Sequence, residues 1–219
     1  MVTFESVKNN PDIKKYIIAA DESLKALGYT EHSFAHVTKC AVTSAYILEA
    51  VGCDAHTVEL SRIAGYLHDI GNLVNRQEHS QSGAVMAFRI LDKMGMEAED
   101  IATIVTAIGN HDEGNGVPVN EVAAALILAD KSDVRRSRVR NSDISAFDIH
   151  DKVNYSVEDS SFSIDTGSKE ALLSLKIDTE ISSIMNYFEI FLGRMLLCRK
   201  AADKLGLTFR LIINGQQFI

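Results

Sequence analysis

A mainly α chain, a helical bundle followed by a small α+β element, is the fold class that three features of this sequence predict. Apolar residues recur at three- and four-residue spacing from Ile13 to Ala129, capping residues and glycines punctuate those stretches, and period-two alternation sets in after Asn141. The change of character divides the chain into a helical domain over residues 1–145 and a smaller α+β element over residues 146–219.

Each element follows from its residues. Asn10 and Pro11 make an N-cap and first turn, after which Ile13, Tyr16, Ile17, Ala20, Leu24 and Leu27 mark one face until Gly28. A second helix follows Thr30, with Phe34, Val37, Ala41, Ser44, Leu48 and Val51 on its stripe and Gly52 past its end. Asp54 caps a third, which runs through Val58, Ile63 and Leu67 into His68 and Asp69; Gly71 suits the left-handed residue that ends it. His79 and Ser80 open a fourth, and a fifth runs from Glu97 to the Gly109-Asn110-His111 stretch. Residues 112–119 hold Gly114, Asn115, Gly116 and Pro118 and read as a loop. Asn120 caps a helix predicted to continue through Asp130 into Lys131, Arg135, Arg136, Arg138 and Arg140. Beyond it, 153–157 and 162–164 alternate as strands do, residues 165–168 form a turn, and 171–177 is a further strand. A helix over 181–205 and a strand over 207–213 complete the element.

Composition narrows the function classes. The net charge of −8 repels a polyanion and argues against broad nucleic-acid binding. The apolar stretch Ala123 to Ala129 is too short to span a bilayer, so no membrane role is expected and the cytoplasm is the expected location. Cys40, Cys53 and Cys198 show no paired spacing, which supports neither a disulfide framework nor a zinc finger.

The chemistry-bearing residues gather at helix edges and ends: His36, His68, Asp69, His79, His111 and Asp130. Side chains so placed on different helices can converge on one pocket, and imidazole with carboxylate is a good ligand set for a divalent transition metal. Any one of these histidines alone is ordinary as a hydrogen-bonded residue at the core's edge; the ordered set is not. His32 stands four residues before His36 and competes with it for the ligand role on the same helix face. His56 and His150 match no motif and read as surface residues.

The order of these residues resembles that of the HD superfamily of metal-dependent phosphohydrolases: a histidine on an early helix, a His-Asp pair, and a later helical aspartate. Here these are His36, which Val37 follows as in the family pattern, His68 with Asp69, and Asp130. The resemblance covers about residues 30–140, and the intervening His79 and His111 are similar to the subset that holds two metals. Within it, His79 followed by Gly83-Ala84, and Ala129-Asp130 followed by Arg136, resemble the bacterial hydrolases of symmetrical diadenosine tetraphosphate. Ser80, Asn72 and Asp112 depart from that family, whose pattern has proline after the third histidine and lysine after the His-Asp pair. Some features of 111–118 are similar to the HD-GYP phosphodiesterases, but Asn110 and Val117 stand where those have histidine and tyrosine.

The resemblance implies a metal-binding helical domain and two divalent ions, iron or manganese favoured, with zinc, cobalt and nickel also compatible with the ligands. Asp69 would bridge them as the catalytic carboxylate, with His36, His68 and Asp130 on one ion and His79 and His111 on the other. The expected reaction is hydrolysis of a small phosphorylated substrate, a nucleotide above all, by metal-activated water. Lys131 and Arg136 are the expected phosphate holders, with Asp112 and Glu113 as partners of the ligands or as a general base. Two alternatives remain: a di-iron oxygenase with the same ligand order, and a non-catalytic nucleotide-sensing or scaffold protein. In the last helix, Tyr187, Phe188, Phe191, Leu192, Met195 and Leu196 are apolar over a wide arc, suiting either the element's core or a homodimer contact.

Overall fold

The computed structural model describes residues 2–219 and is mainly α with a four-stranded sheet towards the C-terminus. Seven helices come first: α1 (Phe4–Asn9), α2 (Pro11–Ala26), α3 (Phe34–Ala50), α4 (Ala55–Leu67), α5 (His79–Lys93), α6 (Ala98–Gly109) and α7 (Glu121–Lys131). After them come α8 (Ile149–Ser156), β1 (Val157–Asp165), β2 (Glu170–Ile177), α9 (Ile184–Lys204), β3 (Thr208–Ile213) and β4 (Gln216–Gln217). None of the helices is long and apolar enough to cross a membrane.

The caps act as their residue types require. Asn10, Asp54 and Asn120 each accept from backbone N–H groups in the first turn of α2, α4 and α7, satisfying donors that have no intrahelical partner. α7 is the central element. Every residue from Val122 to Ala129 is buried, since α3, α4 and α6 pack around it and α9 adds a further cover. Gly65 allows the α3–α4 approach, because a Cβ there would lie 2.8 Å from the backbone of Ala41.

In the sheet, β1 pairs antiparallel with β2, β2 parallel with β3, and β3 antiparallel with β4. The parallel pair needs a crossover, and α9 supplies it. Leu173 faces Leu211 in the β2–β3 register, and Ala171, Leu173, Leu175, Phe209, Leu211 and Ile213 bury one face, against which α9 packs.

Four local expectations are corrected. Residues 153–156 are helical: Asp148 caps α8 by accepting from Asp151 N–H, the Asn154 side chain donates to the carbonyl of His150, and the strand begins at Val157. The two-residue alternation over five positions is too short to exclude a two-turn helix. α7 ends at Lys131, so Lys131, Arg135 and Arg138 do not share a helix face; Arg135 is extended, and its Nε donates to the buried Asp133 carboxylate. His32 precedes α3, whose cap is Ser33, and so is not on the helix of His36. Gly71 does not adopt a left-handed conformation. It is required because a Cβ would stand 2.0 Å from the carbonyl of His79 and 2.4 Å from Gly83 N. α1, unforeseen, is capped by reciprocal bonds between Thr3 and Ser6.

Candidate metal centre

Five helix ends deliver six side chains to one buried place. His36 comes from the first turn of α3, His68 and Asp69 from the end of α4, His79 from the start of α5, His111 from just beyond α6, and Asp130 from the last turn of α7. His36, His68 and His111 are fully buried, and His79 and Asp69 nearly so. The turn holding His68 and Asp69 is seated on α5 by two glycines: besides the Gly71 approach, a Cβ on Gly83 would lie 3.2 Å from the carbonyl of His68.

Hydrogen bonding settles the tautomer of three imidazoles. Nδ1 of His68, His79 and His111 lies 2.8, 3.1 and 2.6 Å from the carbonyls of Gly65, Arg76 and Ile108, which can only accept. Each Nδ1 therefore carries the proton. His36 Nδ1 is 2.8 Å from the carboxylate of Asp133, which orients its ring in the same sense. All four rings thereby turn Nε2 inward. His36 Nε2 and His68 Nε2 are 3.3 Å apart, and His79 Nε2 and His111 Nε2 are 3.2 Å apart. His79 and His111, which burial keeps neutral, cannot bond each other lone pair to lone pair, and a cation between them would resolve that conflict.

The carboxylates complete two groups of donors. Asp69 Oδ2 is 3.4 Å from His36 Nε2 and 3.3 Å from His68 Nε2, while Asp130 Oδ1 is 3.3 and 3.7 Å from the same atoms. Ligands held tetrahedrally at about 2.0–2.2 Å from one ion stand about 3.3–3.6 Å apart, so these four donors fit a metal. The other oxygen, Asp69 Oδ1, is 3.5 Å from His79 Nε2. Asp69 Oδ2 is buried without a hydrogen-bond partner among the described residues, an expensive state that a bound cation would remove. Cys40 Sγ also lies near, 3.7 Å from His36 Nε2.

Charge within the cluster is strongly perturbed. Burial opposes a proton on His68, but the Asp69 charge and the neighbouring Asp130 carboxylate outweigh it and push its pKa up to about 10. Burial and Arg138 likewise oppose protonation of His36, and Cys40, Asp130 and Asp133 raise it well above the usual value. Burial holds His79 and His111 below the ordinary range. Burial also penalises the ionised forms of Asp69 and Asp130, yet His68 for the first and Lys131 for the second keep both well below the usual carboxylate range.

A supporting set surrounds the donors. Asn72 Nδ2 donates to Asp69 Oδ1 and to the Asp69 carbonyl, both at 2.9 Å. Lys131 is buried and pairs with Asp130 Oδ2 at 2.8 Å and Glu113 Oε2 at 2.7 Å. Its ammonium is thus occupied by carboxylates. Arg136 is also engaged elsewhere: its Nε donates to the Tyr155 carbonyl and its guanidinium lies 4.5 Å over the Tyr155 ring. His56 pairs with Asp100, and His150 is exposed on α8. Sequence reading passed over Asp133 and Arg76, whose NH1 is 3.3 Å from His79 Nε2. Asp133 follows Asp130 by three residues, a spacing that could have flagged it; Arg76 carries no such signal.

A cavity of about 470 Å³ adjoins the cluster, and His32, Arg76, Glu113, Asn154 and Arg194 are among the residues that line it. The His32 ring meets that of His36 edge to face, with centroids 5.4 Å apart. The architecture is therefore that of a helical protein with a buried histidine–aspartate cluster that could hold a metal, beside a polar chamber.

The HD domain family model matches residues 33–150, over half of the chain, and the chain belongs to that family. That span contains all six converging residues. Membership and the cluster together support a metal-dependent hydrolase. Among solved structures, a predicted HD superfamily hydrolase from an uncultured Thermotogales bacterium is similar at 23% identity, covering 62% of this chain and 75% of that one, with a TM-score of 0.45. Comparison with curated proteins gives no match.

Proposed function

We infer that this protein is a phosphohydrolase acting on a nucleotide, a dinucleoside polyphosphate or another small phosphate ester, with two divalent ions. The observation that carries the reading is the division of Asp69: Oδ2 faces His36 and His68, while Oδ1 faces His79. A carboxylate so placed suits a bridge between two ions, one held with His36, His68 and Asp130 and the other with His79 and His111. Iron and manganese suit these nitrogen and oxygen donors at least as well as zinc.

The chemistry such ions supply when bound is activation of water and neutralisation of phosphoryl charge. The chain's own residues do the rest. Gly65, Arg76 and Ile108 carbonyls fix three imidazoles, and Asp133 fixes the fourth, so Nε2 lone pairs stay aimed without reorganisation. Lys131 keeps Asp130 ionised and takes up one of its oxygens, leaving the other for the cluster. Arg76, beside His79, is placed to hold an oxygen of the phosphoryl group under attack. Lys131 is not the proposed phosphate holder because carboxylates take its ammonium, and Arg136 is not because it is not among the residues that line the chamber.

The test is metal content and phosphate release from a panel of nucleotides and diadenosine tetraphosphate, in wild type and in a His79→Ala, His111→Ala double variant. The reading expects two ions per chain falling to one or none, with phosphate release lost alongside. Oxygen consumption without phosphate release would replace it with the oxygenase, and tight nucleotide binding without turnover with the sensing protein.

A further inference from the structure

The chamber beside the cluster is not built by the HD-matched helices alone, since α9 contributes Phe191 and Arg194 to its wall. Three guanidiniums line it, and they differ in what they have left to give. Arg138 is nearly buried and spends Nε on the carbonyl of Glu31 and NH1 on that of Asp133. Arg76 pairs with no carboxylate among the described residues; its NH1 lies 3.3 Å from Asn72 Oδ1 and His79 Nε2, at the edge of the cluster. Arg194 donates only Nε, to Glu113 Oε1 at 2.9 Å, so both terminal amino groups are unused among the described residues. Its guanidinium lies 4.4 Å over the Phe191 ring, which holds the plane in place before a ligand arrives.

Two guanidiniums with spare donors therefore line one chamber, one beside His79 and the other on α9, tied through Glu113 to Lys131. A single phosphoryl group held beside Arg76 would leave the terminal donors of Arg194 unused. Glu113 joins the two regions, because it binds both Arg194 and the Lys131 that holds Asp130.

We propose that the chamber takes a ligand bearing two phosphate groups, one seated at the cluster beside Arg76 and the second held by Arg194, which makes the C-terminal element the wall that selects the substrate. This deepens the phosphohydrolase reading and rests on it. Arg194 acts here as a specificity-determining residue, with no part in the bond that breaks.

Equilibrium dialysis in excess Mn²⁺ tests this with three probes: inorganic phosphate, methylenediphosphonate and tripolyphosphate. Wild type should bind at least one of the longer anions roughly tenfold more tightly than phosphate, the gain expected from one added charge-assisted contact. Arg194→Gln should erase that gain while leaving phosphate affinity and metal content within about twofold of wild type. Glu113→Gln breaks the same ion pair but keeps the guanidinium, so it should retain the preference; its loss there would reduce Arg194 to a structural role. Equal affinity for all three probes in wild type, or an undiminished preference in Arg194→Gln, would overturn the proposal. Repeating the dialysis after chelation separates it from the reading beneath. Phosphate binding indifferent to metal removal would overturn the metal centre, whereas a surviving gain that depends on Arg194 would still support the two-phosphate chamber.

Discussion

Asp133 reaches across 97 residues of sequence to His36, its Oδ2 lying 2.8 Å from Nδ1 of the imidazole, and both side chains are fully buried. The same carboxylate takes an ion pair from Lys39 at 2.8 Å and from Arg135 at 2.9 Å, so it is fixed from three sides. An imidazole held in this way presents Nε2 in one tautomer and one orientation. Asp133→Asn keeps the shape but loses the charge, and it should weaken metal binding by about 10- to 100-fold. Competition with a metal-sensitive dye measures it; an unchanged affinity would show that His36 needs no such support.

The contact between Gly71 and α5 is a second prediction. Gly71→Ala places a Cβ 2.0 Å from the His79 carbonyl and 2.4 Å from Gly83 N, both backbone atoms that cannot rotate away. The variant should lose about 2–3 kcal/mol of stability in urea denaturation and bind less metal, because His79 must shift. Gly193 is the control: it lies within α9 with nothing within 4 Å of its Cβ position, and Gly193→Ala should be neutral or stabilising by up to about 1 kcal/mol.

Metal uptake should release protons. Burial opposes protons on both His68 and His36, but the Asp69 charge pushes the pKa of His68 up to about 10 and Cys40, Asp130 and Asp133 raise that of His36, so at neutral pH these two hold protons that a cation must displace. A raised pKa means that this competition fades as pH rises. Apparent metal affinity should therefore climb with pH through the neutral range, and calorimetry in buffers of different ionisation enthalpy should count protons leaving. Affinity flat across that range would show that the cluster is neutral before the metal enters.

How much of this was legible in the sequence depends on how local the signal was. Asp54 and Asn120 announce α4 and α7 because a cap acts within three residues, and the six converging residues stood out because each sits at a helix edge or end. The end of α7 was not legible: the Asp133 carboxylate just past Lys131 meets His36 on another helix, a partner that no local spacing encodes. α8 was misread because its five-residue alternation fits either period. Arg194 and Arg76 gave no signal at all. Arg194 meets Glu113 across 81 residues, and such a meeting depends on how α9 packs on α7, which no spacing within either segment encodes.

Glu113 supplies the last prediction, for pH and stability. Burial penalises its charge, but Lys131 and Arg194 overcome that penalty and hold its pKa below the ordinary 4.5. A carboxylate depressed in the folded state stabilises the fold above its unfolded value, and that contribution drains away as pH falls through the folded value. Wild type should thus lose stability from about pH 4.5 downward, in part because protonated Glu113 leaves Lys131 and Arg194 sharing fewer anions. Glu113→Gln lacks the group that titrates. Its urea midpoint should be lower than wild type at neutral pH, where the ion pairs are intact, and the two should converge in acid. Parallel curves for the two proteins across the acid range would mean that the Glu113 pairs contribute no net stability, and that its carboxylate is retained for the chamber alone.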